Sequence, residues 1–310
     1  MTVGNSYFDD LADLSVDEIM AESDLLEAVA EEKLPGTQAY DLLFTPQQHD
    51  SLVVGYELDY APGLDEKVQK VAEFGEIPVG DPEKAEKKYA DLDKFAVGLR
   101  VSHEQRTYGS GAVIQRELLG RLAEIRRANS LAAVTALEDA NIETFAAPAK
   151  WNTADALAMD DIYAADDLLA GAKDVRGNLF NYSGRYIWGN RRSLNALKRN
   201  KQVAEHYVGD MAHANPLFAD IANQPLIGEQ FELIMDQALE DGVVFVFADN
   251  TAGSVGTLFQ TGEPVFTDWY AERGDSELGG STMSWRSDWV HFRHLAVRAP
   301  KSIVKITGVI

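Results

Sequence analysis

Two runs of alternating residues, separated by a long stretch that suits neither helix nor strand, constrain this chain more than any other feature. In the first run, Val54, Tyr56, Leu58 and Tyr60 alternate with Gly55, Glu57 and Asp59. In the second, Phe95, Val97, Leu99 and Val101 alternate with Ala96, Gly98 and Arg100. Side chains of a strand point to opposite faces with period two, so each run predicts a strand with one buried face. About ten residues per strand would reach roughly 33 Å. Residues 61–93 lie between the runs and contain Pro62-Gly63, Gly75, Pro78, Gly80 and Pro82 among many charges. So long an irregular connection is unusual inside a compact domain. The pattern predicts a two-stranded arm that leaves the body and carries a long tip. A lone hairpin is marginal in water, so the arm is expected to lie on another subunit.

Residues 111–140 give the strongest helix signal. Val113, Ile114, Leu118, Leu122, Ile125, Val134 and Leu137 recur near helical spacing, and no proline interrupts them. Thirty residues make a rod of about 45 Å, well above the average globular helix. The expectation is a structural spine crossing one subunit.

Residues 1–50 read as an extension. They hold twelve acidic residues against one base, Lys33, a net of −11 within a chain total of −22. Ser15 and Glu18 have the spacing of a capping box, and Val16 to Lys33 reads as one helix ended by Pro35-Gly36. Its apolar positions Ile19, Leu25, Leu26 and Val29 form a thin stripe with little to bury within its own chain. The segment is expected either to dock on a neighbour or to stay mobile.

From Trp151 onward the pattern mixes helix and strand. Thr153 is expected to cap a helix running to about Lys173, Arg185 to Trp188 to form a short strand, and Ser193 to cap a second helix. Glu240-Asp241-Gly242 predicts a turn before Val243 to Phe247, an apolar run typical of a strand buried on both faces. Leu258 to Thr267, Trp285 to Arg293 and Ala296 to Ile306 are further strand candidates.

The 310 residues suffice for two modest domains, or one with long extensions, and a hydrophobic content of 45% supports a genuine core. With no cysteine there is no disulfide and no thiolate metal site. No window approaches 18 uninterrupted apolar residues, so no membrane span is expected. The acidic N-terminus lacks the pattern of a secretory signal, and the product is expected to be soluble and unexported. A net charge of −22 opposes groove-type DNA binding, which needs a basic surface. Against that background, Asn178 to Ala204 contains Arg185, Arg191, Arg192, Lys198, Arg199 and Lys201 and no acid. Opposite-sign patches on one molecule favour head-to-tail contact between copies.

Candidate catalytic groups do not add up to a site. Gly274-Asp275-Ser276 resembles the nucleophile block of lipases of the serine-glycine-asparagine-histidine class, and Asp288-x-x-His291 their terminal block. Those enzymes place the serine near the N-terminus, far from its partners, whereas Ser276 and His291 are fifteen residues apart. His291 and His294 would point to opposite faces of a strand and have no cysteine or carboxylate cluster to complete a metal site. His206 and His213 read as surface residues. Gly109-x-Gly111 precedes a helix but lacks the third glycine and the lysine of a phosphate cradle, so a hinge is expected there. Gly253-x-x-Gly256 has no motif around it. No catalytic, cofactor-binding or metal-ligating residue is assigned, and no cofactor.

Several local sequences resemble one known family. Lys94 to Glu104 looks like the returning strand of an extended loop, and Trp151 to Leu157 like the start of an axial domain. Tyr186 to Asn190 and Leu194 to Asn200 are similar to a strand and helix of that domain, and Asp288 to Ile306 to its returning strand. In this order they resemble the major capsid proteins of tailed bacteriophages, the Hong Kong 97-type fold. The resemblance implies an α+β chain with an N-terminal arm (1–50), an extended β-hairpin loop (51–108), a peripheral domain with a long spine helix (109–150 and 286–310) and an axial domain (151–285). It further implies a non-enzymatic subunit that gathers into hexamers and pentamers and closes an icosahedral head shell around double-stranded DNA. A separate scaffolding protein, a portal and a decoration protein are the implied partners, with no membrane and no sequence-specific DNA contact. The implied location is the virion capsid, assembled in the host cytoplasm. Some relatives link lysine to asparagine between subunits. The loop offers Lys67, Lys70, Lys84, Lys87 and Lys88, but the last asparagine is Asn250, so covalent cross-linking is not expected. The alternatives are an encapsulin-type nanocompartment shell, which the long 61–93 segment disfavours, and a soluble hydrolase acting through Ser276 and His291.

Overall fold

The computed structural model describes residues 14–22, 24–33, 39–59, 61, 70, 71, 75, 77, 79, 86–153, 155–203, 231–249, 255–274 and 278–310. Three short helices come first: α1 (Val16–Ala21), α2 (Asp24–Lys33) and α3 (Ala39–Leu43). Strands β1 (Phe44–Gln48), β2 (Val53–Glu57), β3 (Lys87–Asp91) and β4 (Asp93–Ser102) follow. Next are α4 (His103–Tyr108), the long α5 (Gly111–Asp139) and β5 (Glu143–Ala146). Then come α6 (Ala158–Ala170), β6 (Gly184–Gly189), α7 (Arg191–Arg199), β7 (Glu232–Met235) and β8 (Val243–Ala248). The chain ends with β9 (Gly256–Gln260), β10 (Val265–Phe266), β11 (Tyr270–Ala271), β12 (Ser284–Val297) and β13 (Ile303–Thr307).

The strands make two large sheets and one hairpin. In the six-stranded sheet β12 is the trunk, pairing with β4, β9, β10 and β11, while β1 adds to β9 in parallel. The five-stranded sheet has the order β5-β13-β8-β6-β7. Within β8, Val244 and Val246 face a core shared with α6 and α7, while Phe245 and Phe247 face a second core toward α5 and the other sheet. Both faces are covered, which is why the run is apolar throughout, as its sequence implies.

Helix α5 is the expected spine, 29 residues and about 44 Å long. Ile114, Leu118, Leu122 and Ile125 bury its first half against β4, β12, α1 and α2, and Ala133 and Leu137 bury its second half in the core between the sheets. One rod thereby joins two cores.

The structure corrects several expectations. Val16 to Lys33 is two helices, because Glu22 (φ −115°, ψ 77°) leaves helical geometry and its carbonyl accepts from Leu25 N. The capping box itself forms: Ser15 Oγ accepts from Glu18 N (3.3 Å) and Glu18 Oε2 accepts from Ser15 N (2.8 Å). These bonds hold the Glu18 carboxyl below its ordinary pKa. The thin stripe finds its partner within the chain, since Ile19, Leu26 and Val29 are fully buried against α5 and β4. Such burial stabilises by about 1.5–3 kcal/mol per side chain. Asp17 pairs with Arg106 (2.6 Å), and Gly111 N donates to Leu14 O (2.9 Å), fixing α1 at the start of α5.

The two alternating runs do not pair with each other. β2 pairs with β3, from Val53↔Asp91 to Glu57↔Lys87. β4 pairs with β12 over ten positions, from Ser102↔Ser284 to Asp93↔Arg293. Only Leu92, buried, separates β3 from β4, so the chain leaves the hairpin directly into the large sheet. There Leu99 and Val101 bury against α5, a larger apolar partner than a hairpin offers. The C-terminal candidates also merge differently: Ser284 to Val297 is one continuous strand of 14 residues. Thr153 does not cap α6, whose N-cap is Leu157; its hydroxyl donates to Lys150 O (2.7 Å). Asn190 caps α7 by accepting from Arg192 N (2.9 Å), and Ser193 is buried with its Oγ accepting from Gly242 N (3.1 Å).

Candidate assembly surface

The hairpin β2–β3 is amphipathic. Val54 and Ala90 face inward with Leu92, Phe259 and Ala296, a small core separate from the larger ones. The Tyr56 ring lies 6.1 Å from Phe259 and 6.4 Å from His294. On the outer face Val53 and Tyr89 are 54% and 76% exposed, next to exposed Leu52. Among the described residues β2 and β3 pair only with each other, so each has an outer edge with no strand against it.

The end of the ladder that leads into the connecting segment is held to the body. Leu58 N donates to Glu86 O (3.0 Å), which holds the two strands together one step past the ladder. Asp59 N donates to Arg298 O (2.9 Å), Arg298 Nε donates to Glu57 O (3.2 Å), and the Arg298 guanidinium lies 3.3 Å from the Asp59 carboxylate. Tyr182 sits nearby, its phenol pushed up to about 12 by burial and by the Asp59 charge. The hairpin is therefore held to the body along its inner face, while its outer face is open and mixes Val53 and Tyr89 with Glu57, Lys87 and Asp91. Ile77 and Val79, within the connecting segment, are 76% and 85% exposed.

The residues singled out for chemistry do not converge. Asp288 and His291 sit an odd number of positions apart on β12 and face opposite sides of the sheet. Asp288 Oδ1 accepts from Arg286 Nε (2.5 Å) and Oδ2 from Tyr270 OH (2.6 Å), which keeps its carboxyl below the usual range. This pair lies across Gly98, where a Cβ would meet Asp288 Oδ1 at 2.5 Å and Arg286 Nε at 2.9 Å, so a larger residue would push the two side chains aside. His291 is buried with Nε2 2.9 Å from Gln260 Oε1, and burial with the nearby Arg293 charge lowers its pKa to about 4. His294, on the opposite face, is lowered by burial against the raising effect of Asp93 and Asp91. Ser276, His206, His213, Gly253, Lys67, Lys84 and Asn250 lie outside the described residues. Gly109 follows α4 as its C-cap with φ −82°, and Gly256 lies within β9. Among the described residues no three His, Asp or Glu side chains converge as a metal site, and no helix is long and apolar enough to cross a membrane.

Arg293 escaped the sequence reading. It is 2% exposed on β12, its guanidinium 4.5 Å from the Phe95 ring centroid, with Nη1 donating to Asn129 Oδ1 (2.5 Å) and Tyr40 OH (3.2 Å). Its position within an alternating strand was the available signal, since odd positions of β12 face α5.

No family model matches the sequence, and no curated protein does. Solved structures do match. A phage-related protein from Bordetella bronchiseptica RB50 superposes with a TM-score of 0.60 at 15% identity, covering 92% of this chain and 97% of that one. The capsid of a native GTA particle superposes with a TM-score of 0.57 at 12% identity, covering 89% and 92%. This chain has the Hong Kong 97-type fold. A virus-like particle from Pyrococcus furiosus shares that fold, with a TM-score of 0.54 at 12% identity over 97% of this chain and 100% of that one. In the Hong Kong 97-type arrangement α5 is the spine helix, as its length implied.

Proposed function

We propose that this chain is a major capsid protein that self-assembles into the icosahedral head shell of a tailed phage or a phage-like particle and encloses double-stranded DNA. The observation that carries this reading is the match over about nine-tenths of both chains to the capsid of a GTA particle. The hairpin supports it, since its outer face, with exposed Val53 and Tyr89, and its unpaired strand edges suit contact with a second copy. Residues 1–50 serve as the N-terminal arm and 51–108 as the extended loop. Residues 109–150 with 286–310 form the peripheral domain, and 151–285 the axial domain. Copies gather as hexamers and pentamers, with a separate scaffolding protein, a portal and a decoration protein as partners in the virion. The chain performs no catalysis in this role and binds the enclosed DNA without sequence preference, consistent with its net charge of −22.

A second reading, an encapsulin-type compartment, draws on the match to the Pyrococcus furiosus virus-like particle over 97% of the chain. The test is electron microscopy of the expressed protein, alone and with co-expressed neighbouring genes, followed by analysis of particle contents. Closed particles that retain nuclease-resistant DNA support the phage reading. Closed particles holding protein cargo support the second, and absence of particles contradicts both.

A further inference from the structure

Two helices of opposite charge lie on one face of the five-stranded sheet. Helix α6 carries Asp160, Asp161, Asp166 and Asp167 and no base. Helix α7 carries Arg191, Arg192, Lys198 and Arg199 and no acid. Both bury apolar residues in the same core, α6 above β8 and β13 and α7 beside the edge strand β7.

Their charges are not spent on each other. Among the described residues Arg192 pairs with Asp241 (2.7 Å), while Arg191, Lys198 and Arg199 make no ion pair. On α6, Asp161 turns inward to accept from Trp151 Nε1 (2.8 Å) and Asp166 accepts from Gly184 N (2.6 Å). Asp160 and Asp167 stay exposed, and Asp160 Oδ1 accepts from Gln202 Nε2 (2.7 Å). Tyr163, 39% exposed, lies between these two aspartates in the chain and shares their side of the helix, and Leu168, 40% exposed, follows Asp167. The outer side of α6 therefore presents two carboxylates with one partly exposed aromatic ring between them. Beside α7 runs an open groove of about 730 Å³, lined by Trp151, Asn152, Arg191, Asn195 and Arg199 among others. It offers a trough, the amides of Asn152 and Asn195, and the guanidinium groups of Arg191 and Arg199.

We propose that the acidic outer face of α6 in one copy seats in the basic groove along α7 of another copy. The inference rests on the shell reading and names a contact that builds it. A second copy is the fitting occupant because each chain carries both halves of the pair: the exposed carboxylates Asp160 and Asp167 on α6, and Arg191 and Arg199, which line the groove and make no ion pair among the described residues. A nucleic acid fits less well, because contact with a phosphate backbone favours a broad basic surface and this chain carries −22 overall.

Three variants test the pairing: Arg191→Glu with Arg199→Glu, Asp160→Lys with Asp167→Lys, and all four changes in one chain. Assembly is read by sedimentation velocity and electron microscopy, and folding by circular dichroism and melting temperature. Each pair alone should raise the protein concentration needed for assembly by about tenfold or more, and the fourfold variant should restore it. Wild-type assembly should weaken with added salt. Normal assembly by both pair variants, or failure of a well-folded fourfold variant to recover, overturns the pairing. So does a groove variant that assembles normally but loses retained DNA, which assigns the groove to nucleic acid. If wild type forms particles while these outcomes hold, the shell reading stands without this contact. A wild type that never exceeds the 34.1 kDa monomer removes both.

Discussion

Arg298 and Asp59 meet twice. The Arg298 guanidinium lies 3.3 Å from the Asp59 carboxylate, and the Arg298 carbonyl accepts from the Asp59 amide (2.9 Å). One side-chain and one main-chain bond between residues 239 positions apart join the far end of the hairpin ladder to the stretch between β12 and β13. We expect this pair to set the direction of the chain where it passes from β2 into the connecting segment.

Arg298→Ala tests that joint. Both side chains are about a third or more exposed, so the ion pair is worth about 0.2–1 kcal/mol and the main-chain bond survives. We expect unfolding free energy to change by less than about 1 kcal/mol. Amide exchange in β2 should rise, and particles should become irregular. Unchanged exchange together with normal particles would show that the direction is set elsewhere.

The two faces of the hairpin should respond differently. Phe259→Ala removes most of the small core under β2 and should cost about 3–5 kcal/mol in urea unfolding of the monomer. Tyr89→Ser, on the exposed face, should alter monomer stability by no more than about 0.5 kcal/mol while reducing assembly. Equal effects of the two changes on monomer stability would contradict an open outer face.

Leu26→Ala measures whether the acidic N-terminal segment is docked. A fully buried leucine predicts a loss of about 2–5 kcal/mol. A loss below about 0.5 kcal/mol would return the segment to the free arm that its thin stripe first implied.

His291 makes stability depend on acid. Its pKa falls from the ordinary 6.5 to about 4 in the folded chain, because burial and Arg293 disfavour the charged ring. Above pH 6.5 both states are neutral at this site and its contribution is complete. As pH falls from 6.5 toward 4 the unfolded chain binds a proton that the folded chain does not, and up to about 3 kcal/mol is lost. Urea titrations of wild type and His291→Gln between pH 7 and pH 4 should diverge in that window. Parallel curves would show that the ring titrates normally.

The sequence was most informative where burial was periodic. The β8 run and the α5 spacing each specify which faces are covered, and both formed as read. Periodicity does not name the partner, however. Phe95 to Val101 alternates equally well against a hairpin or a large sheet, and the choice fell to β12 because α5 covers that face. Polar residues inside covered strands misled the reading of β12, where Arg293 and His294 looked like an end but are absorbed by Phe95, Asn129 and Tyr56. Caps failed at Thr153 and Ser193 because a hydroxyl has other acceptors and donors within reach, and only tertiary packing decides among them. The docking of α1 and α2 was hidden for a similar reason. A stripe of three or four apolar residues is narrow until the complementary groove on α5 is known. Of the candidate site, β2 was legible in its alternation, but its pairing with β3 and its hold through Asp59 and Arg298 were not.

Self-assembly is tested most directly by cryo-electron microscopy of the purified chain after assembly, backed by sedimentation velocity. The expected result is a closed particle with five-fold vertices, in which Val53 and Tyr89 of one copy lie buried against the next. A monodisperse 34.1 kDa monomer under every assembly condition, with Val53 and Tyr89 still open to solvent, would contradict it.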